Sequence, residues 1–139
     1  MAFNVKTYKP FFKELDKIFG KSDLIKNEAY KEIEAWSIKF SQLGYQLVRE
    51  EMKKGKSKGR IEKIIGQRYI YSLQLLKGKK GNLRILFAFF EHGSIIFFLN
   101  VFYEKDKRDY KIHLDKAIER IKKVSDELNT SPYEEVWNE

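Results

Sequence analysis

The sequence contains no cysteine, and it has two histidines and two prolines among its 139 residues. Without cysteine the chain has neither a disulfide framework nor a thiolate metal site. The two histidines, His92 and His113, are far apart in the sequence, so they do not form a paired-histidine metal motif. We therefore expect no transition-metal centre and no cofactor.

The motifs of two large enzyme classes are also absent. No glycine-rich loop ending in Lys-Ser or Lys-Thr follows a predicted strand, so P-loop nucleotide hydrolysis has no support. No nucleophile elbow is present. An enzyme with this sequence would have to work with lysine, arginine, tyrosine or a single histidine.

No stretch of the sequence predicts a membrane span. The longest apolar stretch covers residues 85–103, but Glu91-His92-Gly93-Ser94 divides it, and a bilayer span needs about 20 uninterrupted apolar residues. Residues 1–20 carry lysines throughout and lack the apolar run of a signal peptide. We therefore expect a cytoplasmic protein without a membrane partner.

The positive charge of the chain is concentrated in one third of its length. The net charge is +8, and residues 49–84 hold 12 Lys and Arg against 3 Glu, whereas the remainder holds 16 basic and 17 acidic residues. A local basic patch on a near-neutral protein indicates a polyanionic partner such as RNA. The alternative is a solvated lysine-rich loop at residues 53–59 that serves solubility.

The N-terminal half has the pattern of one strand followed by two helices. Residues 2–8 alternate weakly, which predicts a first strand. Apolar residues recur at helical spacing from Phe11 to Phe19, and Gly20 ends that run. A second helix is predicted from residue 22 to residue 52, because one apolar stripe follows the spacing of a helix face. That stripe consists of Ala29, Ile33, Trp36, Phe40, Leu43 and Leu47.

Three closely spaced strands and a helix are predicted in the C-terminal half. The strands cover residues 69–76, 83–90 and 95–103, and short loops join them into an antiparallel sheet. Both faces of these strands are apolar, so the sheet should be covered at least partly on both sides. A small apolar cluster, Ile61, Ile64 and Ile65, precedes them.

The end of the chain is predicted to be helical. An amphipathic helix covers residues 110–128, and Ser131-Pro132-Tyr133-Glu134 resembles a capping box that would start a short terminal helix at 131–139. The chain should therefore form one α+β domain over residues 1–139, with a small antiparallel sheet in the order β-α-α-β-β-β-α packed on two N-terminal helices.

One arginine, Arg84, lies inside the otherwise apolar middle strand. A cation among core residues is unfavourable unless something anionic or polar meets it. Phosphate is one candidate partner, because the planar guanidinium can engage two phosphate oxygens. The alternative is a structural ion pair with Glu62, Glu91 or Glu104.

The sequence resembles the RelE/ParE/HigB superfamily of bacterial toxins over most of its length. Residues 67–74 are similar to the family's second strand, and residues 82–87, Asn-Leu-Arg-Ile-Leu-Phe, to its central strand. Residues 102–110 and 117–120, the latter Ala-Ile-Glu-Arg, are similar to its closing strand, basic turn and terminal helix. The resemblance implies a RelE-like fold.

The resemblance also implies a function and a site. Many members are ribosome-dependent mRNA endonucleases that act without metal and are silenced by an antitoxin encoded beside them, here expected to be a small helix-turn-helix protein. Arg84 would contact the scissile phosphate, Lys105 and Arg108 would assist, and Tyr110 or His113 would stack on a base or move a proton. Further cations would bind mRNA or the ribosome: Lys54, Lys56, Lys58, Arg60, Arg68, Lys77, Lys79, Lys80 and Lys107.

Two other functions stay open at this point. The second strand carries Ile70 and Ser72 where RelE-type enzymes carry lysines, and Gln74 where the family often has arginine. These positions favour a binding protein of the same fold without nuclease activity, either ParE-like and directed at DNA gyrase or a degenerate relative. A basic protein that merely coats nucleic acid is the third possibility.

Overall fold

A sheet of six strands forms the centre of the molecule. The computed structural model describes residues 3–20, 23–55, 58–76, 82–104 and 107–134. The strands are β1 (Asn4–Thr7), β2 (Ile61–Lys63), β3 (Tyr71–Leu75), β4 (Asn82–Phe90), β5 (Ile95–Glu104) and β6 (Pro132–Tyr133). The helices are α1 (Phe11–Phe19), α2 (Asp23–Leu43), α3 (Tyr45–Lys53) and α4 (Lys107–Leu128).

The strand order is β1-β5-β4-β3-β2, and β6 pairs with the end of β4. The pairs formed by β2 to β5 are antiparallel as predicted, whereas β1 pairs with β5 in parallel. The sheet is therefore mixed. The predicted α+β class is confirmed.

Two apolar cores lie on opposite faces of the sheet, as the apolar character of both faces predicts. One core joins the sheet to α1, α2 and α3, and the other joins it to α4. In β4 successive side chains alternate between the cores, because a strand turns each residue to the opposite face. Leu83 and Ile85 belong to the first core and Leu86 to the second, so Arg84 lies on the face that α4 covers.

The long helix predicted for residues 22–52 is broken into α2 and α3. The break is at Gly44, whose φ of 54° belongs to a conformation that side chains with a Cβ rarely adopt. A Cβ at this position would lie 2.6 Å from the ring of Phe3. The predicted apolar stripe nevertheless faces the core, since its members Ala29, Ile33 and Phe40 are buried there.

The predicted apolar cluster before the three strands contains an additional strand, β2. Ile61 pairs with Leu73 of β3 and is buried, and Ile64 belongs to the second core. Ile65, in contrast, is 95% exposed. Three residues form too short a periodic pattern to identify a strand from sequence.

The predicted terminal helix is wrong at Pro132 and Tyr133, which form β6. These residues pair with Phe90 and Phe89 of β4, beyond the point where β3 begins to pair. The backbone groups of β4 are open there, and strand pairing satisfies them. Residues 135–139 of the predicted helix lie outside the described residues.

The preceding helix, α4, begins at Lys107, three residues before the predicted start, and ends at Leu128 as predicted.

None of the described helices has the length and apolar character needed to cross a membrane.

We expect Gly44→Ala to destabilise the fold more than Gly20→Ala, which is a matched control. Both glycines have φ near 55°, but a Cβ at Gly20 meets nothing within 4 Å. Backbone strain should therefore lower the free energy of unfolding by about 1–3 kcal/mol in both variants. Displacement of the Phe3 ring should add roughly 1–3 kcal/mol in Gly44→Ala alone. Urea unfolding measures both values, and equal values would contradict the close approach of Phe3.

Candidate functional site

A cleft of about 650 Å³ opens on the sheet face that α4 covers. It forms because α4 packs on β5 and β4 and does not extend over β2 and β3. The exposed part of the sheet is the floor, and the first turns of α4 form one wall. The lining residues are Met52, Gly55, Gly59, Arg60, Ile61, Glu62, Lys63, Ile64, Ile65, Gln74, Arg84, Glu104, Tyr110, Lys111 and Leu114.

Arg84 lies in this cleft between two carboxylates. Its Nε donates to Glu104 Oε2 at 3.0 Å, and its Nη1 donates to Glu62 Oε1 at 3.1 Å. The Ser72 hydroxyl is 3.5 Å from the same Nη1. Among the described residues, none accepts a hydrogen bond from Nη2. The ion pair that the sequence left as an alternative is therefore present, and it lies in the wall of an open cleft.

The register of the sheet brings these side chains together. Glu62 pairs with Ser72 across β2 and β3, and Arg84 pairs with Gln74 across β3 and β4. All four side chains consequently project from the same face of the sheet. The Glu62 side chain is 46% exposed, whereas that of Glu104 is 29% exposed. Of the two carboxylates bonded to Arg84, Glu62 is thus the more accessible to a ligand.

Tyr110 completes the polar part of the cleft from the first turns of α4. Its phenol forms a hydrogen bond with Ser72, and its ring packs edge-on against Phe102 at 5.7 Å. Burial raises the pKa of Tyr110 and outweighs the opposing effects of the Arg84 charge and the Ser72 hydrogen bond. The phenol therefore remains protonated at neutral pH and can donate a proton or a hydrogen bond.

The cleft combines positive charge with an apolar surface. Arg60, Lys63, Arg84 and Lys111 face two carboxylates among the lining residues, and apolar side chains supply the rest. A volume of this size suits a ligand with the dimensions of a nucleotide. Cations suit a phosphate, and the apolar surface suits the face of a base.

His113 lies one turn beyond Tyr110 and is not among the lining residues. Its ring stacks on Phe102 with centroids 4.2 Å apart and planes 9° apart. Burial lowers the pKa of His113, and the nearby Lys116 lowers it further. The Nδ1 atom is buried and has no hydrogen-bond partner among the described residues. The structure therefore brings Tyr110, and not His113, to Arg84.

A second buried arginine, Arg120, fixes α4 in place. Its Nη1 donates to the Leu99 carbonyl at 2.7 Å and to Glu14 Oε1 at 2.8 Å, and its Nη2 donates to Glu14 Oε2 at 2.6 Å. The guanidinium also lies 4.8 Å from the centre of the Tyr8 ring. This network joins α4, the helix that also carries Tyr110, to α1 and β5.

The predicted RNA-binding cations that the structure describes form two groups. Lys54, Lys58 and Arg60 line a second cavity of about 300 Å³, together with Lys39 and Trp36 of α2 and two glutamates. Arg68 lies apart from them, beside Glu134. The Arg60 backbone N–H donates to the buried carboxylate of Glu51 at 3.0 Å, so α3 holds the start of β2 and joins this cavity to the cleft.

The remaining predicted cations cannot be placed in the cleft. Arg108 is exposed near the start of α4 and does not line the cleft. The side chain of Lys107 lies outside the described part of the chain. The same holds for the whole of Lys56, Lys77, Lys79, Lys80 and Lys105.

The sequence alone does not identify Glu62 or Ser72 as site residues. It offers Glu62 and Glu104 only as neutralising partners for Arg84, and Ser72 only as a departure from the family pattern. The missing information is the register of β2, because that strand is not predicted. Once Glu62 is known to pair with Ser72, alternation alone places it on the Arg84 face.

Comparison with known proteins gives one informative likeness. No family model and no curated protein matches the sequence. A solved structure of the E. coli toxin RelE, an arginine-to-alanine double mutant in the free state, superimposes with a TM-score of 0.51 at 13% identity. The match covers 87% of this chain and 99% of that chain. The predicted RelE-like fold is thereby confirmed.

The Glu14–Arg120 pair should make stability depend on acid pH. Burial opposes ionisation of Glu14, but hydrogen bonds and charges from Arg120 and Lys116 outweigh it and lower the pKa of Glu14. A carboxyl with a lowered pKa in the folded state stabilises the fold above its unfolded pKa, near 4.3. That stabilisation is lost as the pH falls through the lowered folded value.

Glu14→Gln should therefore lower the free energy of unfolding at pH 7 by roughly 1–3 kcal/mol, since Arg120 loses its charged partner. The variant should also lose part of the decline in stability that the wild type shows as the pH falls below about 5. Glu127→Gln, which changes an exposed residue of α4, is the control. Parallel curves for wild type and Glu14→Gln would contradict the assigned pair.

Proposed function

We propose that the protein is the toxin of a toxin–antitoxin pair and cleaves mRNA on the ribosome. The observation that carries the proposal is the cleft in which Arg84, Tyr110 and Glu62 converge on an open sheet face. The RelE-like fold supports it, because the similar solved structure is described as a toxin. The partners would be mRNA, the ribosome and an antitoxin that covers the cleft.

RNA cleavage suits these residues because RNA supplies its own nucleophile. The 2′-hydroxyl attacks the adjacent phosphorus, and the bond from phosphorus to the 5′-oxygen breaks. The reaction needs a base for the 2′-hydroxyl proton, a cation for the phosphate charge and a donor for the leaving oxygen. None of these roles requires a metal or another cofactor.

We assign the base to Glu62, a residue that the sequence alone does not single out. Its side chain is 46% exposed and its Oε1 lies 3.1 Å from Arg84 Nη1, so a ribose placed over this pair would have its 2′-hydroxyl beside an acceptor and its phosphate beside a cation. Glu104, also bonded to Arg84, is 29% exposed. In this scheme it orients the guanidinium through Nε.

Arg84 stabilises the charge that develops on the phosphate. Glu104 and Glu62 engage Nε and Nη1, and Nη2 can meet a phosphate oxygen without breaking either described ion pair. Tyr110 donates the proton to the leaving 5′-oxygen, because its phenol is protonated at neutral pH and lies beside Arg84. Lys105 and Arg108 would add positive charge near the start of α4.

Binding to the ribosome would use the basic cavity beside α2 and α3. Lys54, Lys58 and Arg60 gather there, and cations that track a phosphate backbone release counterions and strengthen association. Lys56, Lys77, Lys79, Lys80 and Lys107 are the further cations that the proposal assigns to RNA binding. Such contacts position RNA without reading its sequence.

A second function is favoured by the pairing of Arg84. Both described carboxylate partners come from the protein itself, and a guanidinium satisfied in this way can be purely structural. The protein would then be a binding module of the RelE-like fold, with gyrase or another partner as target. Mapping mRNA 5′ ends after induction separates the two, because codon-phased cuts arise only from the nuclease.

Arg84→Ala should abolish growth inhibition on induction if the nuclease proposal is correct. We expect a loss of cleavage of about 10²–10³-fold, since one preformed donor to the transition state disappears. Arg84→Lys keeps the charge without the planar fork and should restore little of it. Ribosomal mRNA cleavage and growth after induction measure both effects.

The control for this prediction is Lys122→Ala, which removes an exposed cation from α4 away from the cleft. It should leave cleavage and toxicity unchanged. Thermal unfolding must show that Arg84→Ala is folded, because its two former carboxylate partners then face each other. Full toxicity of a folded Arg84→Ala variant would defeat the proposal.

The base assignment is tested by a matched pair, Glu62→Gln and Glu104→Gln. Each change neutralises one of the two carboxylates bonded to Arg84. Loss of a general base should slow cleavage by about 10²–10⁴-fold in Glu62→Gln. Glu104→Gln should have a much smaller effect, because glutamine still accepts from Nε. Similar rates for the two variants would show that both carboxylates act only as ion-pair partners.

A further inference from the structure

We propose that Lys63 and Arg68 form a phosphate-binding site that the Glu134 carboxylate occupies in this structure. An RNA phosphate would displace Glu134 and take its place between the two cations. The choice of RNA as ligand rests on the proposed function. The site itself rests on the position of Glu134 beside these two cations.

The geometry is that of one anionic oxygen between two cations. Glu134 Oε2 lies 3.3 Å from Lys63 Nζ and 3.6 Å from Arg68 Nε. Lys63 comes from β2 and Arg68 from the loop between β2 and β3. A phosphate oxygen can use the same two donors, since both residues pair with carboxylate and phosphate alike.

The site lies at the rim of the cleft. Lys63 is itself a lining residue, and Arg68 is 74% exposed with its guanidinium 5.4 Å from the centre of the Tyr69 ring. An RNA strand that leaves the cleft past Ile64 and Ile65 would reach this pair. A phosphate held there would continue the contact made at Arg84.

The C-terminal segment, residues 131–134, does not depend on Glu134 for its position. Its backbone pairs with β4 at Phe89 and Phe90. The centre of the Tyr133 ring lies 5.4 Å from the centre of the Tyr45 ring and 6.0 Å from that of the His92 ring. The ion pairs of Glu134 are partly exposed and add little stability, so an incoming phosphate can replace the carboxylate while β6 stays in place.

Glu134 therefore acts as an internal competitor for RNA. While it is bound, two cations near the cleft are neutralised. When RNA arrives, its phosphate must exchange with this carboxylate, which weakens association at the rim. Removal of the charge should strengthen RNA binding even though the protein acquires no new cation.

The test uses the full chain and a 2′-O-methyl oligouridylate, which binds as RNA but cannot be cleaved at the blocked 2′-oxygen. Glu134→Gln should bind it about three- to tenfold more tightly at low salt, because no carboxylate then has to leave the two cations before the phosphate binds. Glu127→Gln makes the same charge change at an exposed site on α4. It should alter affinity much less.

A second background shows whether the tighter binding comes from the two cations. In Lys63→Gln/Arg68→Gln, the further change Glu134→Gln should leave the affinity unchanged. Three results would each overturn the site: equal increases in affinity in Glu134→Gln and Glu127→Gln, an increase that persists without the two cations, or no binding by any variant. Because the ligand is uncleavable, the site can stand even when the same variants show no mRNA cleavage, and that result would reject the nuclease proposal alone.

Discussion

The site depends on a guanidinium held between two carboxylates on an uncovered part of a sheet. Arg84 binds Glu62 from β2 through Nη1 and Glu104 from β5 through Nε, and the Ser72 hydroxyl lies 3.5 Å from Nη1. The two ion pairs allow a cation to stand among core strands, since an unpaired charge there would be strongly unfavourable. They also fix the orientation of the guanidinium, and a fixed donor is what stabilisation of a developing phosphate charge requires. The structural role of Arg84 is therefore compatible with the catalytic role that we propose for it.

The α4 face carries one buried arginine, Arg120, and one partly exposed arginine, Arg84, and their surroundings differ. Arg120 has a side chain that is 9% exposed, and it binds Glu14 and the Leu99 carbonyl. It joins α4 to α1 and β5. None of its described hydrogen bonds is to a residue that lines the cleft. Arg84 lines the cleft instead. Arg120 thus holds the helix that carries Tyr110, and Tyr110 bonds Ser72 beside Arg84.

The sequence predicts the parts of this protein that depend on long periodic patterns. The β3, β4 and β5 strands, the apolar stripe on α2 and the end of α1 at Gly20 follow from such patterns. The RelE-like resemblance rests on the order of these elements. Short or non-local features escape prediction: the three-residue β2, the break at Gly44 beside Phe3, and β6, where strand pairing with Phe89 and Phe90 prevails over a helix-capping pattern. Arg84 is unusual in the sequence itself, but its neighbours Glu62 and Ser72 become visible only through the register.

The most direct test of the account observes the Arg84 guanidinium while RNA binds. In a ¹⁵N NMR titration with an uncleavable 2′-O-methyl trinucleotide, assigned through Arg84→Lys, the Arg84 Nε–H signal should shift as the trinucleotide is added. The Tyr110 ring signals should shift with the same dissociation constant. A trinucleotide that binds the protein and moves signals from other arginines, while those of Arg84 and Tyr110 stay unchanged, would contradict the central claim that this cleft receives RNA.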